Sequence, residues 1–340
     1  MDPRSTLPPG PSRPARRLAR TGRRLLVAVT AAALVATATA CSDSDDATGD
    51  TAAGETSEVR GSQALEPPVA VDPGPAPTVE LLDGGTGERR VLSYAPSREP
   101  EVVTVTRSGS ARTTVPGSAP RTDETPEQTL TVEGLSEPDV DGAQRATVTA
   151  RAFTSVDELR AAQFATATGF TVTWTRSADG IVRGLSLEAP VDATDAARAG
   201  VEIMANAVAD ATVAWPSEAI GVGARWTVTR PIDDAVAPTR VVTYRLTALD
   251  GDVATVRMAA SAPEPADTLT APASDGGPDI TLDVETYEVT GSGELTVDLR
   301  AALPVEGTTE SSTRAVYVDP ASGRRTTYDE DSVLEFRRAG

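Results

Sequence analysis

The 340-residue chain contains no histidine and no lysine, and its one cysteine is Cys41. Each absence removes chemistry. Without histidine there is no Ser-His-Asp or Cys-His nucleophile system and no HExxH zinc site. Without lysine there is no Schiff base, no Ser-Lys dyad and no phosphate-binding P-loop. With a single cysteine no disulfide can form inside the fold, so apolar packing has to hold it. A hydrophobic content of 39% suffices for that over roughly 260 structured residues, as one large domain or two small ones. Most hydrolase designs are excluded, and a non-enzymatic protein is expected, with no cofactor and no metal.

What is present begins with an address. Arg16, Arg17, Arg20, Arg23 and Arg24 precede an apolar segment, Leu25 to Leu34, and then small residues that end at Cys41. That is the plan of an export signal. Ala38-Thr39-Ala40-Cys41 resembles the bacterial lipobox, in which the cysteine is acylated on sulfur and becomes the new N-terminus; the departure is Ala38, where Leu, Val or Ile is usual. The expectation is a signal peptide over 1–40 and attachment of palmitate-type acyl chains at Cys41, which also accounts for a lone cysteine in an exported chain. Two alternatives stand beside it. Ala38-Thr39-Ala40 satisfies the rule for cleavage without lipidation. An uncleaved anchor would need about 20 apolar residues, more than Leu25 to Ala40 offers. Arg23-Arg24-Leu25 also has the form of a twin-arginine signal, so the export route stays open.

The formal charge is −19; the first 40 residues hold seven arginines and one acid, Asp2, which leaves 24 arginines against 49 carboxylates, or −25. Such a surface repels nucleic acid and anionic headgroups. The acids are interspersed with arginine rather than blocked, as on a solubilising surface. Residues 41–77, from Cys41 through Ser42-Asp-Ser-Asp-Asp to Pro77, have almost no large apolar side chains. They read as a disordered tether of about 33 Å if it behaves as a flexible coil. The rest, 78–338, reads as a single β-rich globular domain.

From Val79 the apolar pattern has period two. Val103 and Val105, Leu130 and Val132, and Ala146, Val148, Ala150 and Ala152 each alternate with polar residues, as strands with one buried face require. Asp179-Gly180 joins Phe170–Trp174 to Ile181–Leu187, and Asp250-Gly251 joins Val242–Ala248 to Ala254–Met258; both are hairpin signals. A third run starts at Ile280, slips phase at Thr286 to Tyr287, and is expected to turn at Gly291-Ser292-Gly293 before returning through Leu295–Leu299. Val316, Val318, Leu334 and Phe336 supply closing strands around Asp319–Gly323. Val115–Glu127 and Pro263–Pro278 read as long loops. Ser155-Val-Asp-Glu158 is a capping-box pattern opening a short helix to about Phe164. Asp192 to about Ala211 carries Ala197, Val201, Met204 and Val208 as one helical stripe, with Asp192 or Thr194 as cap.

Three groups of residues are candidate sites. Trp215-Pro-Ser-Glu-Ala-Ile-Gly221-Val-Gly223-Ala-Arg-Trp226 leads into a strand with no lysine behind it, so Gly221, Gly223 and Trp226 read as a structural turn and core anchor rather than a phosphate cradle. Asp139-Val-Asp141-Gly142 and Tyr328-Asp-Glu-Asp331 cluster carboxylates, but the glycine and closing glutamate of an EF-hand loop are misplaced. Paired-carboxylate glycosidase chemistry is open by residue type alone, with no pair that stands out.

Val79–Tyr94, the Gly221–Trp226 turn, Thr243–Asp252 and Gly291–Leu299 together resemble an uncharacterised family of actinobacterial lipoproteins, over about Val79 to Phe336. The resemblance implies a β-rich exported domain and a lipid anchor, and brings no activity or site residues. The fold expected is mainly β (α+β): a strongly curved antiparallel sheet or half-barrel with one long and one short helix packed on it, or else a two-sheet β-sandwich. The function expected is that of a non-enzymatic lipoprotein on the outer face of the cytoplasmic membrane, held to the bilayer through Cys41, with an apolar small molecule as ligand. The alternative is an interaction module for an envelope protein. A dry apolar cavity of several hundred Å³ would favour the first and a filled core with an exposed apolar patch the second.

Overall fold

The computed structural model describes residues 64–232, 236–262, 265–271 and 279–339. The expected signal peptide, Cys41, the tether up to 63 and parts of the Pro263–Pro278 loop lie outside them.

The chain is organised as two antiparallel meanders. The first comprises β3 (Glu101–Thr114), β4 (Arg121–Pro138), β5 (Gln144–Ser155), β6 (Thr171–Arg176) and β7 (Val182–Glu188). The second comprises β8 (Arg225–Pro231), β9 (Thr239–Asp250), β10 (Val253–Ser261), β12 (Ile280–Asp298), β13 (Glu306–Val318) and β14 (Arg325–Arg338), with β11 (Thr268–Ala271) hydrogen-bonded to β12. Pairing of β14 with β3 fuses the two into one sheet. Its edges come from the start of the domain: β1 (Val69–Val71) on β7 and β2 (Thr78–Asp83) on β8. The order is β1-β7-β6-β5-β4-β3-β14-β13-β12-β10-β9-β8-β2, antiparallel throughout and not closed. The strands thus form one continuous sheet, not the two of a sandwich. Leu65 to Val71, expected in the tether, lie along β7: Leu65 bridges Pro190 and β1 follows.

Both helices fall where expected, α1 (Glu158–Phe164) and α2 (Asp195–Ala211). Thr194 caps α2, its hydroxyl accepting the Ala197 N–H at 3.2 Å. The cap of α1 is Asp157, whose carboxylate accepts from Leu159 and Arg160; Ser155 stands two residues earlier, donating to the Glu127 carbonyl. The aspartate wins because its charge also suits the positive end of the helix.

The two Asp-Gly hairpins form as expected, with Gly180 and Gly251 both at positive φ. The phase slip near Thr286 is a register shift between Val284 and Thr286. Three expectations fail. The loop expected over Pro263–Pro278 carries β11, hydrogen-bonded to β12. Gly291-Ser292-Gly293 is not a turn: β12 runs through it, paired with β10 and β13 on its two sides. The glycines serve close approach instead, since a Cβ on Gly293 would lie 2.6 Å from the Thr308 carbonyl oxygen. The loop expected over Val115–Glu127 is shorter, because β4 starts at Arg121 and takes in Pro126. Pro126 is tolerated where the β3–β4 register shifts between Arg107 and Gly109, so no ladder bond needs its missing N–H.

The main core is one cluster. It draws Val103 and Val105 from β3, Leu130 and Val132 from β4, Trp174 from β6, Trp226 from β8, Tyr244 from β9, Leu295 from β12 and Phe336 from β14, with the stripe of α2 among them. A second, smaller cluster gathers Tyr287, Ala315, Tyr317 and Tyr328 with Val236 and Ala237.

Candidate functional site

The seam between α2 and the sheet is the candidate site. Ala197, Val201, Met204 and Val208, the stripe read from the sequence, are all buried, joined by Gly200 and Ala205. This face is built from small residues and one flexible methionine, and it meets the larger side chains that the strands present across the seam. Gly200 sets the approach. A Cβ there would lie 2.6 Å from Cε1 of Phe153, which stacks on Phe164 with ring centroids 4.1 Å apart. The seam encloses a cavity of about 20 Å³, bounded by Val105, Leu130, Val132, Trp174, Met204 and Leu303 among others. That is room for about one water molecule. Its walls are apolar except at Trp174, whose buried indole N–H has no hydrogen-bond partner.

One end of the seam is stopped by the connection from β12 to β13. Residues 301–305 are buried, and Leu303 reaches the cavity wall. Buried polar groups seat this segment. Arg176, 1% exposed, donates to the Ala301 and Ala302 carbonyls at 2.5 and 3.3 Å and to Oε1 of Gln144, and its guanidinium lies 3.7 Å above the Tyr94 ring. Burial pushes the Arg176 pKa down to about 10. From the opposite side Glu101 accepts the Ala302 N–H at 2.7 Å and the Leu303 N–H at 3.4 Å. Burial raises its carboxyl above the usual range, against the pull of those two N–H groups. Ser136 Oγ adds a 2.8 Å bond to the Arg300 carbonyl.

At the other end the walls turn polar. Val103 and Val105 are followed on the same face of β3 by Arg107, and Leu130 is preceded on the same face of β4 by Gln128. Arg107 and Gln128 are direct cross-strand partners. Sequence reasoning missed this pair. The signal was there, as a charged and an amide side chain standing in the apolar phase of two otherwise regular alternations.

Gly221, Gly223 and Trp226 are brought together, but away from the cavity lining. The Gly221–Gly223 turn clasps the Gly84-Gly85 turn backbone to backbone: Gly221 N–H donates to the Gly84 carbonyl at 3.0 Å and Thr86 N–H to the Val222 carbonyl at 2.9 Å. A Cβ on Gly221 would meet the Thr86 carbonyl oxygen at 2.6 Å, and Gly223 has φ +91. Trp226 is fully buried, donates to the Ala214 carbonyl at 2.9 Å, stacks on Tyr244 and meets Trp215 at a tilt. Burial pushes the Tyr244 phenol up to about 12. Asp139 is occupied in capping the turn at 140–142 and in pairing with Arg145. Asp329 and Glu330 alternate across β14, one near Arg314 and the other accepting from the Tyr328 hydroxyl. Among the described residues no group of three or more Asp, Glu, His or Cys is placed to hold a metal, and no helix is long and apolar enough to cross a membrane.

No protein-family model matches the chain, and no characterised protein shows significant sequence similarity to it.

Proposed function

We propose that this is an exported, non-enzymatic lipoprotein, anchored through acyl chains on Cys41 to the outer face of the cytoplasmic membrane, whose β domain admits one apolar chain between a strongly curved sheet and α2. The signal pattern of residues 15–41 and the resemblance to actinobacterial lipoproteins support the first half. For the curvature, the argument is one of reach. The 13 strands in line from β1 to β2 would be about 58 Å across if flat, at about 4.8 Å per gap. Yet β1 ends at Val71 and β2 starts at Thr78, and seven residues span at most about 25 Å. This short connection supports a sheet whose edges approach each other, as in a half-barrel.

The observation that carries the ligand reading is the seam itself: apolar walls facing a helix of small residues, with the cavity lying along it. Its size needs a physical account. An empty pocket of about 300 Å³ would cost about 7 kcal/mol at the rate found for apolar cavities, as much as the whole stability of many domains. A carrier without cargo is therefore expected to be closed, and α2 has to move outward to admit a chain. The filled core is equally the observation that favours the second reading, an envelope interaction module that holds no ligand.

Native mass spectrometry of the membrane-extracted protein tests both halves. The expected result is an acylated Cys41 at the mature N-terminus and a co-purifying single-chain lipid. An unmodified Cys41 refutes the anchor. Ligand-free protein that also takes up no added single-chain lipid leaves the interaction module.

A further inference from the structure

The apolar seam ends in two polar side chains that nothing in the fold uses. Gln128 is 5% exposed, and its carboxamide has no hydrogen-bond partner among the described residues. Arg107, half-buried opposite it, forms no hydrogen bond or ion pair among the described residues. On its other side Arg107 faces Leu334, which is buried. The carboxylate that acts on it, Glu330, stands opposite Ala111, four residues further along β3, and already accepts the Tyr328 hydroxyl at 2.7 Å. Burial lowers the Arg107 pKa and Glu330 only partly offsets this. Neither has a polar atom that is both buried and without a partner, so both heads reach water at this end of the seam, open to a polar ligand. Their setting says of which kind. The same faces of β3 and β4 continue through Val105, Leu130 and Val132, walls of the cavity, for about 13 Å from Gln128 at two residues per repeat.

We propose that Arg107 and Gln128 bind the anionic head of a single-chain amphiphile whose hydrocarbon lies along Val105, Leu130 and Val132 beneath α2. The proposal rests on the reading of the seam as a ligand site and adds the class of ligand. The guanidinium offers paired N–H donors that fit the two oxygens of a carboxylate or phosphate, and the Gln128 amide a further donor beside them. In a body of −25 an inward cation also favours an anion at this end of the seam. Carboxylate and phosphate-monoester heads share this chemistry.

The test is equilibrium binding to delipidated full-length protein of three probes with the same chain: palmitate, palmitoyl lysophosphatidate and monopalmitin. Wild type, Arg107→Leu, Arg107→Gln and Gln128→Leu are compared, with near-ultraviolet circular dichroism reporting that each remains folded. The expected result is that at least one anionic probe binds about tenfold or more tightly than monopalmitin, a preference that both Arg107 variants abolish while monopalmitin binding stays within about twofold. Which anionic probe leads identifies the head as carboxylate or phosphate. Equal binding of neutral and anionic probes, or a preference unchanged in the Arg107 variants, overturns the proposal and leaves the seam as a ligand site. Failure of all three probes to bind overturns the ligand site and this proposal together.

Discussion

Replacing Arg176 by methionine asks what holds the β12–β13 connection in place. The arginine makes three charge-assisted hydrogen bonds and one ring contact, with no carboxylate touching it. With its pKa at about 10 it is still a cation at neutral pH. Hydrogen bonds of this kind contribute roughly 1.5–3 kcal/mol each, and a desolvated cation over a ring about 2 kcal/mol. Taken at the low end of that range, since the bond to Ala302 is long at 3.3 Å, that is a gross loss of about 7 kcal/mol, with the Ala301 carbonyl and Gln144 Oε1 left buried and unpaired. Removing the charge also recovers its desolvation cost, about 4 kcal/mol after relaxation. The net is a destabilisation of about 3 kcal/mol, in the range found for breaking a buried polar pair. With a urea slope of about 3 kcal/mol per M for a domain of this size, the unfolding midpoint falls by about 1 M. Tryptophan fluorescence reads the transition, since Trp174, Trp215 and Trp226 are all buried. Arg183→Met, at an exposed position of β7, is the control and should stay within about 0.5 kcal/mol. An Arg176→Met variant equally close to wild type would refute the reasoning, because Glu101, Ser136 and the burial of Ala302 and Leu303 would then seat the segment without the arginine.

Glu101→Gln addresses the other side of the same segment. The raised carboxyl means the native state keeps its proton to higher pH than the unfolded chain, so this group stabilises most below the unfolded value of 4.5, loses that contribution as pH rises through the window up to the folded value, and stays at its lowest above it. The glutamine variant lacks this loss, so its urea midpoint should gain on wild type as pH rises above 4.5; midpoints that run parallel would count against it. Gly200→Ala should destabilise by about 1–2 kcal/mol in thermal melts although alanine is the better helix former, because the contact with Phe153 outweighs a propensity gain of about 1 kcal/mol. A more stable alanine variant would show that α2 has slack. Arg198 grips Glu66 through two 2.7 Å bonds and the Pro190 and Ala193 carbonyls at 3.1 and 3.0 Å. Arg198→Ala should speed proteolytic cleavage within Leu65–Val71 while the melting temperature hardly moves, and an unchanged cleavage rate would mean that β1 holds the segment unaided.

The local parts of the fold were legible. At Asp179-Gly180 and Asp250-Gly251 a turn signal coincides with the end of one alternation and the start of the next, so two independent cues agree. At Gly291-Ser292-Gly293 the glycines spoke with two meanings, turn or close approach, and only the neighbouring strands decide between them. Pro126 misled in the same way: it argues for a loop until the register shift against β3 at that point excuses its missing N–H. The edges of the sheet were illegible in principle, because β1 and β2 pair with strands more than 100 residues away and nothing in three or six residues names the partner. Of the site, the stripe of α2 was read correctly. The Arg107–Gln128 pair was visible only as a break in phase, and its meaning depends on knowing that the two strands are neighbours.

The placement of β1 and β2 on opposite edges has a consequence for how the molecule assembles. Each meander is built from near neighbours in the chain and can form early, whereas the β3–β14 pairing joins residues over 200 positions apart. The segment from Leu65 to Asp83 needs both outer edges, β7 and β8, before it has anywhere to go. The part of the domain made first is therefore the part that latches last. Until it does, two strand edges remain open to wrong partners, and the folding rate, more than the final stability, sets how long the chain is exposed to them.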